Sequence, residues 1–227
     1  MTTRAQVFEA LGTVYDPELD EPITTLGFVG SCVAGEHGDV EVRLRLPTPQ
    51  CAPNFAFLMA ADARTAVRAL PAVGEVTVEL EDHYTGAEIN AAVCRGEGFG
   101  DAFPGETAGD LDALRELFRR KALLARQARL CRTLLDGGAT AEEVVALRVA
   151  ELPDSPDAVR CLELRAVLGL GREPHAPALV AGDGSALDAG ELPIWLRRAR
   201  LVALSLETNG GICRDLLKTR YGEEVAA

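Results

Sequence analysis

The sequence predicts an α+β fold, a small two-layer α-β-β-α-β domain followed by an all-α helical domain. Three observations carry that expectation. Val40, Val42, Leu44 and Leu46 alternate strictly with Glu41, Arg43 and Arg45, which is a strand with one wet face. A helix-length segment opened by Pro53 then leads to a second alternating run, Val76, Val78 and Leu80, so the two strands are joined by a crossover and run parallel. Beyond residues 95–109, which hold five glycines and Pro104, strand alternation gives way to helical periodicity. The expected division is a domain over residues 1–94, a Gly-rich linker over 95–109 and a helical domain over 110–227.

The first helix is announced by Thr3 and Gln6 at capping-box spacing, with Val7, Leu11 and Val14 on one face. It must stop near Tyr15, because Asp16-Pro17 disfavours helix at residue 16. Gly27 to Ala34 reads as the first strand, and Glu36-His37-Gly38-Asp39 as a hairpin turn into the second. Pro53 suits the first turn of a helix that extends to about Leu70, since its missing N–H costs nothing there. A Thr85/Glu88 capping box predicts a short helix over Gly86 to Cys94. In the helical half, Asp110 is the expected cap of a helix ending at Gly137-Gly138, Thr140/Glu143 of a second, and Ser155-Pro156 of a third ending near Gly169. Pro193–Leu206 and Gly211–Arg220 read as two further helices, with Asn209 as the cap of the last.

The formal net charge is -12, but it is unevenly spread. Residues 1–106 carry 6 basic and 17 acidic side chains, and residues 107–227 carry 17 basic and 18 acidic. Such acidity argues against nucleic-acid or anionic-membrane binding, which needs clustered Lys and Arg. The N-terminal residues lack a basic start before an apolar stretch, and no window reaches the roughly 18 apolar residues of a membrane span. A cytoplasmic protein is therefore expected. The six cysteines form no CxxC pair, so neither a zinc ribbon nor a thioredoxin motif is present.

Chemistry concentrates in Leu46-Pro47-Thr48-Pro49-Gln50-Cys51-Ala52-Pro53. This run sets a thiol at or just before a helix N-terminus, where unpaired N–H groups and the helix dipole favour a thiolate. Asp16 and Glu18 flank Pro17 in the loop after the first helix, and His83 follows the third strand. The end of the first helix, the start of the second and the end of the third strand can converge on one site. Cys213 is a second thiol candidate, in the first turn of the last expected helix. Cys131 falls at core spacing with Leu124, Ala128 and Leu135, Cys32 in a strand and Cys161 in a helix read as structural, and Cys94 ends a short helix. The basic stretch Arg119-Arg120-Lys121 with Arg126, Arg129 and Arg132 is either a solvated face or a docking surface for an acidic partner or for this chain's own acidic N-terminal domain.

The run Val14-Tyr15-Asp16-Pro17-Glu18, then Ile23, Leu26-Gly27-Phe28-Val29 and Thr48-Pro49-Gln50-Cys51, resembles the small iron–sulfur cluster assembly domain over roughly residues 4–84. That domain occurs in the SUF-system T protein, the phenylacetate-degradation D protein and the targeting component of eukaryotic cytosolic iron–sulfur assembly. The resemblance implies a non-catalytic maturation factor that delivers iron or a transient iron–sulfur cluster to client metalloenzymes, with a di-iron monooxygenase as a plausible client. On this reading Cys51 matches the family's reactive cysteine, Asp16 and Glu18 its acidic loop, and Pro17, Thr48 and Pro49 shape the site. The chain departs from the phenylacetate-type relatives in having an Arg-rich helical extension where they carry a cysteine-rich zinc module.

One thiol cannot hold a cluster, which usually takes four. Further ligands would come from a second subunit, from partner thiols, or from the carboxylates and His83. Expected partners are therefore a client metalloenzyme, other assembly proteins or a second copy. Two alternatives stand beside this reading: an adaptor that docks a client through its helical domain without handling metal, and an enzyme with Cys51 as nucleophile and His83 as base.

Overall fold

The computed structural model describes residues 2–106 and 111–222. These fall into two compact units: residues up to 113 together with those from 208 on, and residues 114–207.

In the first unit, α1 (Arg4–Leu11) opens with the expected capping box, in which the Gln6 N–H donates to Thr3 Oγ1 and the Thr3 N–H to Gln6 Oε1. The strands are β1 (Val29–Ala34), β2 (Val40–Arg45) and β3 (Val76–Glu81), in the order β1-β2-β3. β1 and β2 form an antiparallel hairpin, and β2 pairs with β3 in parallel, Val40 opposite Val76 through Arg45 opposite Glu81. The crossover between the parallel strands is α2 (Pro53–Arg68), with Pro53 in its first turn. Alternation does what the sequence requires of it. Val40, Val42, Leu44, Val76, Val78 and Leu80 are buried, while Arg43 and Arg45 pair with Glu81 on the wet face. Val7, Leu11, Ala56, Phe57, Ala60, Ala63 and Val67 close the core from the helical side.

Two local expectations in this unit are corrected. α3 (Gly86–Arg95) forms without the Thr85/Glu88 capping box, because the Thr85 hydroxyl is bonded to His83 Nδ1 instead. The segment expected as a linker is structured over its first part, where α4 (Phe99–Ala102) sets the Phe99 ring 5.6 Å from Phe57 and 4.8 Å from Phe103. Both Phe99 and Phe103 are buried, and the gain from removing two aromatic rings from water outweighs the flexibility that the glycines permit. The rest of the expected linker, 107–109, and the expected cap Asp110 lie outside the described residues.

The second unit is built on α5 (Asp112–Asp136), α6 (Ala141–Ala146) and α7 (Pro156–Val167), with the beginning of α8 (Leu192–Tyr221). Thr140 and Glu143 make the expected capping box, and Ser155 caps α7. One side of α5 (Ala122, Leu123, Leu130) packs on Ala158, Cys161 and Leu164 of α7. Cys131 packs with Val144, Leu179 and Leu192. The irregular stretch between α7 and α8 is pinned rather than loose. Buried Gln127 bonds both the N–H and the carbonyl of Val180, and buried Arg165 donates to the carbonyls of Pro177 and Ala178. Among the described residues no helix is long and apolar enough to cross a membrane.

The largest correction concerns α8. Where two helices were expected, 30 residues form one, passing through Asn209-Gly210-Gly211 without a break. Each glycine costs a helix about 1 kcal/mol relative to Ala, and contacts made beyond them offset that cost. From Thr208 on, the helix belongs with the first unit rather than with the helical domain. Arg214 pairs with Glu21 at 2.6 Å, Leu217 is buried, and Arg220 donates to the carbonyls of Leu46 and Asp82.

Candidate functional site

Three loops at one end of the first unit hold the candidate residues. The first, after α1, is closed on itself: Asp16 N–H donates to the Glu21 carbonyl, Asp20 N–H to the Asp16 carbonyl, and Ile23 N–H to the Val14 carbonyl. Asp20 sits at φ +51°, a left-handed bend that Asp tolerates better than most residues. Pro17 starts the turn, and Asp16 Oδ1 accepts the N–H groups of Glu18 and Leu19 at 2.8 and 2.9 Å. Asp16 is buried to 7% exposure. Desolvation outweighs the two backbone donors, and the nearby Glu18 and Glu21 add to it, so the carboxyl is pushed up to about 6. Glu18 is exposed beside it. The loop thus offers one buried carboxyl that exchanges a proton near neutrality and one open carboxylate.

The second loop, Thr48–Cys51, precedes α2. Ala52 is the N-cap and Pro53 the first helical residue, so Cys51 lies just before the helix, as expected. No side chain caps the helix. The Thr48 hydroxyl lies 3.5 Å from Cys51 Sγ, and the Cys51 N–H reaches back to the Thr48 carbonyl. The thiol is half-buried.

The third loop follows β3. Asp82, at φ +52°, reverses the chain so that His83 and Tyr84 face the second loop. His83 Nε2 lies 2.7 Å from the Cys51 carbonyl oxygen, and Tyr84 N–H donates to the Pro49 carbonyl. A carbonyl can only accept, so Nε2 is the donor, which leaves Nδ1 to accept from the N–H and hydroxyl of Thr85. Both ring nitrogens are therefore engaged, and neither faces the thiol. His83 positions the Cys51 backbone, and this geometry gives no support to an enzyme that uses His83 as base for Cys51.

The structure also places Cys213 differently from the expectation. It is in the interior of α8, not in a first turn, and no helix N-terminus favours its thiolate. Burial, with Asp16, Cys51 and Glu18 nearby, pushes its thiol up to about 11. The helix turns on either side of it are bonded to Glu21 of the Asp16 loop and to the Leu46 carbonyl, which leads into the Cys51 loop. Sequence reasoning saw the residue but not its position. Arg214 and Arg220, which fix that position, carried no local signal at all. Cys131 and Cys161 are buried with thiols pushed up to about 11 and 12, as core residues would be, and Cys94 is exposed. Among the described residues no three His, Cys, Asp or Glu side chains stand close enough to hold a metal ion.

Comparison with known proteins now adds to the geometry. Residues 4–79, which contain the loops of Asp16 and Cys51, match the family model of the iron–sulfur cluster assembly protein. An uncharacterised protein of Methanocaldococcus jannaschii is 33% identical over 90 residues, which are 40% of this chain and 93% of the archaeal protein. The chain belongs to the iron–sulfur cluster assembly family. That membership gives the chain a general role in iron–sulfur or metal maturation. No solved structure matches the chain significantly. The matched segment lies within the first unit, the assembly domain.

Proposed function

We propose that the chain is a maturation factor that passes iron or an iron–sulfur cluster to client metalloenzymes, with Cys51 as the transient ligand and Asp16 and Glu18 completing its surroundings. What supports this most is a half-buried thiol just before α2 and a buried carboxyl pushed up to about 6 on another loop of the same domain, in a chain of this family. A buried carboxyl of that kind takes up or releases a proton when a thiol binds or gives up metal, without a large free-energy step at neutral pH. Weak rather than closed coordination suits a carrier, because cargo held by a complete ligand set leaves slowly. A di-iron monooxygenase in the same cell is the client class we favour. The test replaces Cys51 with Ser in the native host and measures iron content and turnover of such a client. Loss of both is expected, and unchanged metallation would overturn the reading.

One observation favours the adaptor as a second reading. In the helical unit, α5 and the first part of α8 enclose a groove of about 580 Å³. Exposed Leu201 and Leu204 lie among Arg132, Arg197 and Arg200 there. Such a surface fits an acidic amphipathic segment of a client. On this reading, reversing the three arginines to Glu abolishes client activation, whereas Cys51→Ser leaves it unchanged.

A further inference from the structure

Residues 210, 213, 214, 217, 220 and 221 share one face of α8, since they recur at helical spacing. Every neighbour of Cys213 on that face is fixed to the assembly domain. Gly210 backs onto Glu21 so closely that an added Cβ would stand 2.7 Å from Oε1. Arg214 Nη1 donates to Glu21 Oε2, Leu217 is buried, and Arg220 donates to the Leu46 and Asp82 carbonyls. Tyr221 donates to Asp82 Oδ2 and lies under the Arg45 guanidinium. Glu21 closes the Asp16 loop, Leu46 leads into the Cys51 loop, and Asp82 precedes the histidine that holds Cys51. Cys213 is therefore held, half-buried, on the stretch of helix that joins these three loops.

We propose that Cys213 is the second thiol of the Cys51 site, and that the two sulfurs together take a divalent, iron(II)-like metal ion. The inference rests on the maturation reading above and deepens it. Two thiolates are soft to borderline donors suited to Fe(II), Co(II) or Zn(II). Each thiol releases its proton to solvent as its sulfur–metal bond forms, and no electron changes hands. Among the described residues no third donor completes the set in place. The pair is half of a coordination sphere that the client finishes, which gives the cargo a direction in which to leave.

The test is an anaerobic cobalt(II) titration of the full chain, read by thiolate-to-cobalt charge-transfer absorbance. The wild-type band is expected to be about twice that of Cys51→Ser or of Cys213→Ser, with the double variant as baseline. Cys213→Ala, checked for an unchanged thermal transition, must behave as Cys213→Ser does. Arg214→Glu keeps both thiols but frees the helix, and it should lose about half the band. Adding Glu21→Arg should restore it. A Cys213→Ser band equal to wild type, with the Cys51→Ser band lost, overturns this inference and leaves the maturation reading standing. A band unchanged in both single variants overturns the inference and the ligand role of Cys51 alike.

Discussion

Asp16 accepts two backbone N–H groups and is nevertheless pushed up to about 6, because its burial removes more hydration than those bonds return. In the unfolded chain the same carboxyl titrates near the ordinary aspartate value of 3.8. The folded state therefore binds the extra proton between those two values. The stability contributed by protonated Asp16 is complete below the lower value and is lost as pH rises through the upper one. Over a window of about two units this comes to about 3 kcal/mol at most. Asp16→Asn keeps the Oδ1 acceptor and removes the charge. It should raise the denaturant midpoint at pH 8 and leave it nearly unchanged at pH 4, and an equal shift at both would refute the assignment. The importance of Asp16 was legible in the DPE motif, but its burial was not. Burial arises from Asp20, Glu21 and Ile23 folding the loop back on itself, a closure that no short window displays.

Among the elements, α8 offers the sharpest contrast. The two adjacent glycines both sit in its interior, but Gly211 has open space around its missing Cβ, whereas Gly210 meets Glu21. Gly211→Ala should therefore stabilise the protein by up to about 1 kcal/mol. Gly210→Ala should gain less or lose, because Glu21 must turn away from Arg214. Thermal unfolding of the two variants side by side decides it. The short helix α4 makes a separate claim. Phe99→Ala removes a buried ring packed against two others and should cost about 3–5 kcal/mol, whereas a true linker would tolerate the change. Elements whose signals were local were read correctly: the Thr3/Gln6 and Thr140/Glu143 boxes, the Pro53 and Ser155-Pro156 starts, and the alternation of β2 and β3. The misreadings share one cause. Thr85 gave up its cap to His83, itself held by the Cys51 carbonyl, Phe99 found Phe57, and the helix ran on through Gly210 against Glu21, so in each case a tertiary contact overrode a local preference.

At the scale of the whole molecule, the assembly domain is discontinuous, made from the chain's first half and a segment that returns after the helical unit. Removing residues from 208 on strips Leu217, Arg214 and Arg220 from it. Amide exchange should then speed up in the Asp16–Glu21 and Leu46–Cys51 loops and remain unchanged at the Cys131 and Cys161 cores. Equal acceleration in both units would contradict that division. The family motif marked the ends of the matched segment well, but it could not show the returning helix, because the match covers residues 4–79 alone.

The discontinuity also orders events in time. A ribosome emits residues 114–207 between the two pieces of the assembly domain, so the Cys51 loop emerges and its strands can pair well before Cys213 exists outside the exit tunnel. Closing so long an intervening segment adds little entropy cost per residue, but it imposes a delay set by translation itself. During synthesis, the nascent chain passes through an interval in which the Cys51 loop stands without Cys213.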